Sequence, residues 1–191
     1  MGRTANVWER VKEAEEIIKK LCEKHPDVLW AVKPENIVVM AIVSKEKSEK
    51  NNVLARIRLI KGSERAVLID NGIPVRHIIE IYGSDWSEWK EKKRQWVLLH
   101  ELLHVHAEIE KMVKHDLECF KILVKTGGVN WAVSDEKDLP NLLTDDVKFD
   151  LALRPGMDEY ADDGKPDEIS DVLDEIEKEK AGKAGKEDKK E

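Results

Sequence analysis

Apolar residues recur at Val7, Val11, Ala14, Ile18 and Leu21 with charges between them, which is the spacing of an amphipathic helix. His25-Pro26 follows. Proline lacks the backbone N–H and clashes with the preceding turn, so the first helix is predicted to end there. Ile37 to Val43 is apolar at every position and rich in β-branched residues, a pattern that suits a strand covered on both faces. After a polar turn from Lys45 to Asn52, Ala55-Arg-Ile-Arg-Leu-Ile60 alternates like a half-buried strand. Ala66 to Ile69 predicts a short third strand, closed by the turn residues Asp70-Asn71-Gly72. Val75 to Tyr82 predicts a fourth extended segment, with a short helix as the alternative.

Gly83 breaks the chain, and Asp85 with Glu88 three positions on spells a capping box. From there Trp86, Trp89, Trp96 and Leu103 mark one side of a long helix predicted to reach at least Ala107. A further helix carries Leu117, Phe120, Ile122 and Leu123 and stops at Gly127-Gly128. Asp138 to Leu153 reads as irregular or briefly helical. Beyond Pro155 apolar residues thin out to Ile169, Val172, Leu173 and Ile176, enough for one short helix, before a low-complexity end of Lys, Glu, Ala and Gly. The elements describe an α+β domain over residues 1–154 and an acidic tail over 155–191, expected to be largely disordered.

Composition narrows the class. The chain has 191 residues, 41% hydrophobic and 38% charged, which suits one soluble domain with a real core. No apolar run approaches the roughly 18 to 20 residues of a membrane span, and the charged segment from Met1 to Lys20 does not resemble a signal peptide. A cytoplasmic location is therefore expected. Fourteen acidic and seven basic residues fall in 155–191, which accounts for the whole net charge of −7 and leaves 1–154 neutral. A neutral body has no basic excess to grip phosphates, so nucleic acid is not the expected partner. Cys22 and Cys119 are two isolated thiols, neither a disulfide framework nor a zinc ribbon. They read as buried free thiols.

The candidate chemistry lies in His100-Glu101-Leu102-Leu103-His104. Two histidines four apart on a helix are offset by about 40° and one turn of rise, so both imidazoles can reach one ion. Zinc accepts neutral His nitrogens at about 2.0–2.1 Å and keeps a further position for water in catalytic sites. Glu101 projects toward that position and can take the proton as the water attacks a polarised carbonyl. The pattern is specific when it lies in an amphipathic helix, as it does here. Chance could also spell it in a Glu-rich helix, but imidazoles among Leu98, Leu99, Leu102 and Leu103 need partners once buried, and a metal supplies them. An all-His set favours zinc over magnesium or calcium.

A third protein ligand is required, and His115 is the first choice, with Asp116, Glu118 and Cys119 as alternatives. On a straight helix His104 and His115 would lie about 16 Å apart, too far to share an ion. The helix must break between roughly Ala107 and Lys114, although that stretch holds neither Gly nor Pro. His106 lies about 200° round the helix from His104 and reads as a surface or outer residue. His25 reads as a helix-end residue, His77 as a strand residue, and the tryptophans at 86, 89 and 96 as core. Tyr82 and Tyr160 are the only tyrosines, and neither stands out as an oxyanion stabiliser.

With His100-Glu-Leu-Leu-His104 followed by His115-Asp-Leu-Glu-Cys-Phe120, the chain resembles the putative phage metallopeptidase family and, more distantly, the SprT-like zincins. Ala55-Arg-Ile, Trp96-Val-Leu-Leu and the His-Asp-x-x-x-Phe run carry the likeness, over about residues 35 to 150. The resemblance implies a compact zincin: a small mixed sheet packed by an N-terminal helix and the motif helix, with the metal below a substrate cleft. It implies His115 as third ligand, because in SprT-like proteins a His ahead of a helical Phe fills that role. It also implies the host cytoplasm as location if the chain is phage-encoded. The zinc-ribbon cysteines and basic tail of several SprT-like proteins are missing here, which weakens their DNA-linked role as a guide. The expected function is zinc-dependent hydrolysis of peptide bonds in a peptide or protein substrate. Zinc would be held by His100, His104 and His115 and water activated by Glu101. The alternative is an inactive, zinc-stabilised interaction module whose acidic tail binds a partner; a third reading is a protease acting on nucleic-acid-bound proteins.

Overall fold

The computed structural model describes residues 7–42, 54–82, 85–108, 111–115, 119–128, 131–132 and 138–155. The proposed helix at 169–176 and the rest of the tail lie outside them. Among the described residues, four strands form a mixed sheet and five α-helices accompany it. No helix among them is long and apolar enough to cross a membrane.

The described residues open with a strand, not with the first turn of the predicted helix. Trp8–Arg10 (β1) pairs antiparallel with the end of Ile37–Ile42 (β2), Trp8 opposite Ile42 and Arg10 opposite Met40. Edge pairing satisfies backbone groups that a helix would otherwise use, and it leaves Val7 exposed. The helix itself, Lys12–Lys24 (α1), buries Ala14, Ile17, Ile18 and Leu21 and ends at His25, as the proline requires.

β2 runs parallel to His77–Ile81 (β4), which in turn pairs antiparallel with Ala55–Leu59 (β3), giving the order β1-β2-β4-β3. Among the described strands β3 thus lies at an edge. Ile37, Val39, Ile57, Ile79 and Ile81 point into the core, whereas Val38, Met40 and Ile78 on the other face are only half-buried. β2 is therefore covered on one face, not both. The described helices that pack on the sheet form a single layer: α1 against β2 and the motif helix, and the motif helix against β3.

The third predicted strand is a helix. Gly62–Asp70 (α2) opens at Gly62, whose φ of 57° favours glycine. It ends with the Asn71 side chain donating to the Val67 carbonyl at 2.7 Å. None of its residues is buried, so Ala66-Val-Leu-Ile69 had no sheet to join, and a run this short does not distinguish strand from helix by pattern.

The tryptophan-rich helix is two helices. Asp85–Glu88 (α3) stops before Lys90, and Glu91–Leu102 (α4) starts afresh. Arg94 explains the break: its Nε donates to the Trp86 carbonyl at 3.0 Å and its Nη1 to Glu13 Oε1 at 2.6 Å. It thus occupies an α3 carbonyl and ties the corner to α1. The side chain of Asp85, and with it the proposed cap, lies outside the described residues. α4 is buried nearly all round through Gln95, Trp96, Val97, Leu98, Leu99, Glu101 and Leu102. The irregular segment from Asp138 is sewn to it: Gln95 Oε1 accepts the Leu142 N–H at 2.8 Å and Trp96 Nε1 donates to the Pro140 carbonyl at 3.0 Å.

Lys121–Gly127 (α5) closes on the same tryptophan. A Cβ on Gly127 would lie 2.5 Å from both Cη2 and Cζ3 of Trp96, and the fully buried indole cannot swing aside. Gly127→Ala is expected to cost about 1–3 kcal/mol by overpacking. Urea denaturation should show a lower midpoint; an unchanged midpoint would refute the contact.

His77 supplies a pH signature. It is buried, its Nε2 has no hydrogen-bond partner among the described residues, and burial beside Arg76 and Arg65 pushes its pKa down to about 4. The unfolded chain takes up this proton near pH 6.5 while the folded protein holds it off until about pH 4. Unfolding therefore binds a proton within that window, and stability falls as the pH drops through it, by up to about 1.4 kcal/mol per pH unit. Chelator-treated protein compared with His77→Gln by urea denaturation at pH 7 and pH 5 should show a shallower loss in the variant. Parallel losses would exclude His77 as a source.

Candidate metal centre

α4 ends at Leu102, five residues before the predicted limit at Ala107. Leu103 keeps helical angles, but the next N–H groups reach back only three residues, His104 to the Glu101 carbonyl at 3.2 Å and Val105 to Leu102 at 3.0 Å. This tightened turn throws the chain outward. His106 then holds the bend: its Nδ1 accepts the Glu108 N–H at 2.8 Å. The chain returns antiparallel, Val105 bridging to Met112 and the Val113 N–H reaching the His104 carbonyl at 2.8 Å. His106 is therefore a buried turn-former and not a surface residue.

This reversal brings His115 back over the motif. His100 Nε2 and His115 Nε2 are 3.0 Å apart, and one ligand nitrogen from each of His100, His104 and His115 falls in a group spanning at most 4.8 Å. Phe120 is the floor beneath all three rings, its centroid 5.5, 4.8 and 5.0 Å from those of His100, His104 and His115. The outer nitrogens are occupied from behind. His104 Nδ1 donates to the Val113 carbonyl at 2.7 Å, and His100 Nδ1 faces Cys119 Sγ at 3.6 Å. Each inner Nε2 is thereby left as a lone-pair donor.

The electrostatics suit a cation. Burial holds the His100 pKa down to about 3, with His104 and His115 adding to the effect. Burial also lowers His104, against the pull of the Val113 carbonyl. Neutral imidazole is the form that binds metals. Tetrahedral zinc at about 2.0–2.1 Å from each nitrogen needs them about 3.3 Å apart. The His100–His115 pair, at 3.0 Å, is already near that spacing, and the whole group spans at most 4.8 Å.

Glu101 points to the other side of the helix end, toward the sheet. It is buried, and its Oε2 accepts the Ile57 N–H of β3 at 2.7 Å. Burial pushes its pKa up to about 7, against the Ile57 hydrogen bond and Arg56, which lower it.

A family model described as putative phage metallopeptidase matches residues 6–144, well over half of the chain. The chain belongs to the putative phage metallopeptidase family. No curated protein and no solved structure matches it significantly. The three-histidine group is the cluster of metal-binding type found among the described residues.

The other candidates of the sequence stand apart from this group. Asp116 and Glu118 lie outside the described residues. Cys119 stands behind His100 and is not in the metal-facing group; it and Cys22 are free thiols, half-buried where buried ones were expected. His25 sits at the end of α1 with Nε2 on the Leu142 carbonyl at 2.7 Å, and His77 lies on β4. Tyr82 donates to Glu80 Oε2 at 2.8 Å, a structural bond; Tyr160 lies outside the described residues. Trp131 and the turn-forming role of His106 carried no signal in the sequence, since an isolated aromatic or histidine without motif spacing reads as core or surface.

Proposed function

We propose that the protein is a zinc metallopeptidase in which His100, His104 and His115 hold the ion and Glu101 is the general base. The observation that carries this reading is the chain reversal after Leu102, which turns three imidazole nitrogens toward one point while Glu101 stays one residue from His100. Bound there, zinc would supply Lewis-acid chemistry, acidifying water and polarising the scissile carbonyl.

The chain's own residues do the rest. Oε2 of Glu101 is anchored on Ile57, so Oε1 is the oxygen left to take a proton from the attacking water and pass it to the leaving amine. A pKa raised to about 7 suits a base that must both accept and release a proton near neutrality. The edge strand supports a peptide substrate. The flanking bonds Tyr82 N–H to Leu54 carbonyl and Ile60 N–H to Arg76 carbonyl turn the even-numbered residues of β3 toward β4. Ala55, Ile57 and Leu59 therefore turn their backbone groups outward; Glu101 takes the Ile57 N–H, and the other groups lie beside it. An extended peptide adding to this edge would bind through its backbone and so be recognised with little regard to sequence. The test is turnover of a fluorogenic peptide library by the zinc-loaded protein, abolished by a chelator and restored by zinc; turnover unaffected by metal removal would refute the assignment.

A further inference from the structure

Resting on the zinc reading, we infer that Cys119 and Trp131 form a relay that orients His100: they are positioning residues for the metal centre. His100 turns Nε2 toward His115 at 3.0 Å, so its proton resides on Nδ1, which faces Cys119 Sγ at 3.6 Å. The same sulfur accepts the indole N–H of Trp131 at 3.2 Å. Sulfur is a weak acceptor, and two N–H donors converging on it fix its place between them. The Trp131 ring also lies against His100, with centroids 5.5 Å apart and planes inclined by 37°, and it is braced on its far side by Trp96 at 5.9 Å.

The two motif histidines are thus held by different means. His104 is held by a backbone carbonyl, which no substitution removes. His100 depends on side chains alone, so its tautomer and ring angle are open to mutation. Outer partners of metal-bound histidines fix the tautomer and raise ligand basicity, and their loss typically costs 10–100-fold in metal affinity. A thiol fills here the place usually taken by a carboxylate or carbonyl.

The experiment measures zinc dissociation constants with a competing chelator, and cobalt(II) absorption spectra, on the full chain. Wild type is compared with Cys119→Ala, Cys119→Ser, Trp131→Phe and the double variant, with Leu123→Ala as a packing control. Cys119→Ala is expected to weaken zinc binding about 10–100-fold and to alter the cobalt spectrum. Cys119→Ser should fall between it and wild type, since the hydroxyl keeps an acceptor but on a shorter bond. Trp131→Phe keeps an aromatic ring and loses the indole N–H, so the loss that runs through the thiol should vanish in the Cys119→Ala background, the mark of one pathway. Leu123→Ala, a fully buried core change, should lower the melting temperature of the chelator-treated protein without weakening zinc comparably. A Cys119→Ala protein that binds zinc as tightly as wild type would overturn the relay and leave the peptidase reading standing. So would a control that loses zinc just as strongly, or additive losses in the double variant. Wild type that takes up no zinc would overturn the metal reading itself.

Discussion

Glu101→Gln is expected to abolish peptide hydrolysis while leaving the metal content unchanged. Gln has nearly the same volume, and its amide oxygen can still accept the Ile57 N–H that Glu101 Oε2 accepts at 2.7 Å. The ring nitrogens of His100, His104 and His115 are untouched by the change. What disappears is the group that can take a proton. Removing a general base typically costs about 10²–10⁴ in rate, and the fall should appear in kcat with little change in KM, because the edge of β3 still presents the same backbone. Turnover of a fluorogenic peptide beside elemental analysis of the same samples decides the matter. A variant as active as wild type would remove Glu101 from the chemistry. Zinc-loaded wild type that never cleaves would favour the interaction module instead.

What could be read before folding and what could not divides along physical lines. β2, β3, β4 and the end of α1 were legible because their signals are local: β-branched runs, alternation, and a proline after His25. The motif was legible because its chemistry is local too, two imidazoles and a carboxylate within five residues. Ala66 to Ile69 misled because its apolar side chains stay exposed, Val67 and Ile69 at 59% and 55%, so no burial rewards either pattern. The early stop of α4 had no local signal. Val105 to Lys114 has neither Gly nor Pro, and the bend is made by a bridge from Val105 to Met112 and by the ring of His106, contacts that exist only once the chain has turned. The split at Lys90 likewise depends on Arg94 reaching Glu13, far away in sequence.

The same distinction governs the partners of the histidines. His100 and His104 carry the spacing of a motif, whereas Cys119 and Trp131 become recognisable only by where they stand. Their separation by twelve positions has no period, and nothing in composition links an indole to a thiol. Sequence therefore pointed to the inner face of the centre and was silent on the outer one. Phe120 lies between these cases: the His-Asp-x-x-x-Phe run flagged it, and its place as floor to three imidazoles gives the physical reason that a large apolar ring is wanted there.

His115→Ala carries the other large effect, on metal retention and not on the chemical step. Its side chain is exposed but lies against His100 and Phe120, so the substitution itself should cost the metal-free protein no more than about 1 kcal/mol. Its loss nevertheless leaves two ligands for an ion that structural and catalytic sites hold with three or more protein groups. Affinity should fall by more than the 10–100-fold that loss of an outer partner causes. Wild type held at a hundredfold excess of zinc over its dissociation constant gains about 2.7 kcal/mol of stability, by mass action on the folded state. The variant should gain almost none. Melting curves with zinc and with chelator, beside elemental analysis after dialysis, separate the two: the curves of His115→Ala should superimpose while those of wild type move apart. A variant that keeps stoichiometric zinc through dialysis would show that the chain reversal after Leu102 serves some other donor, and the ligand set would have to be rebuilt around His100 and His104 alone.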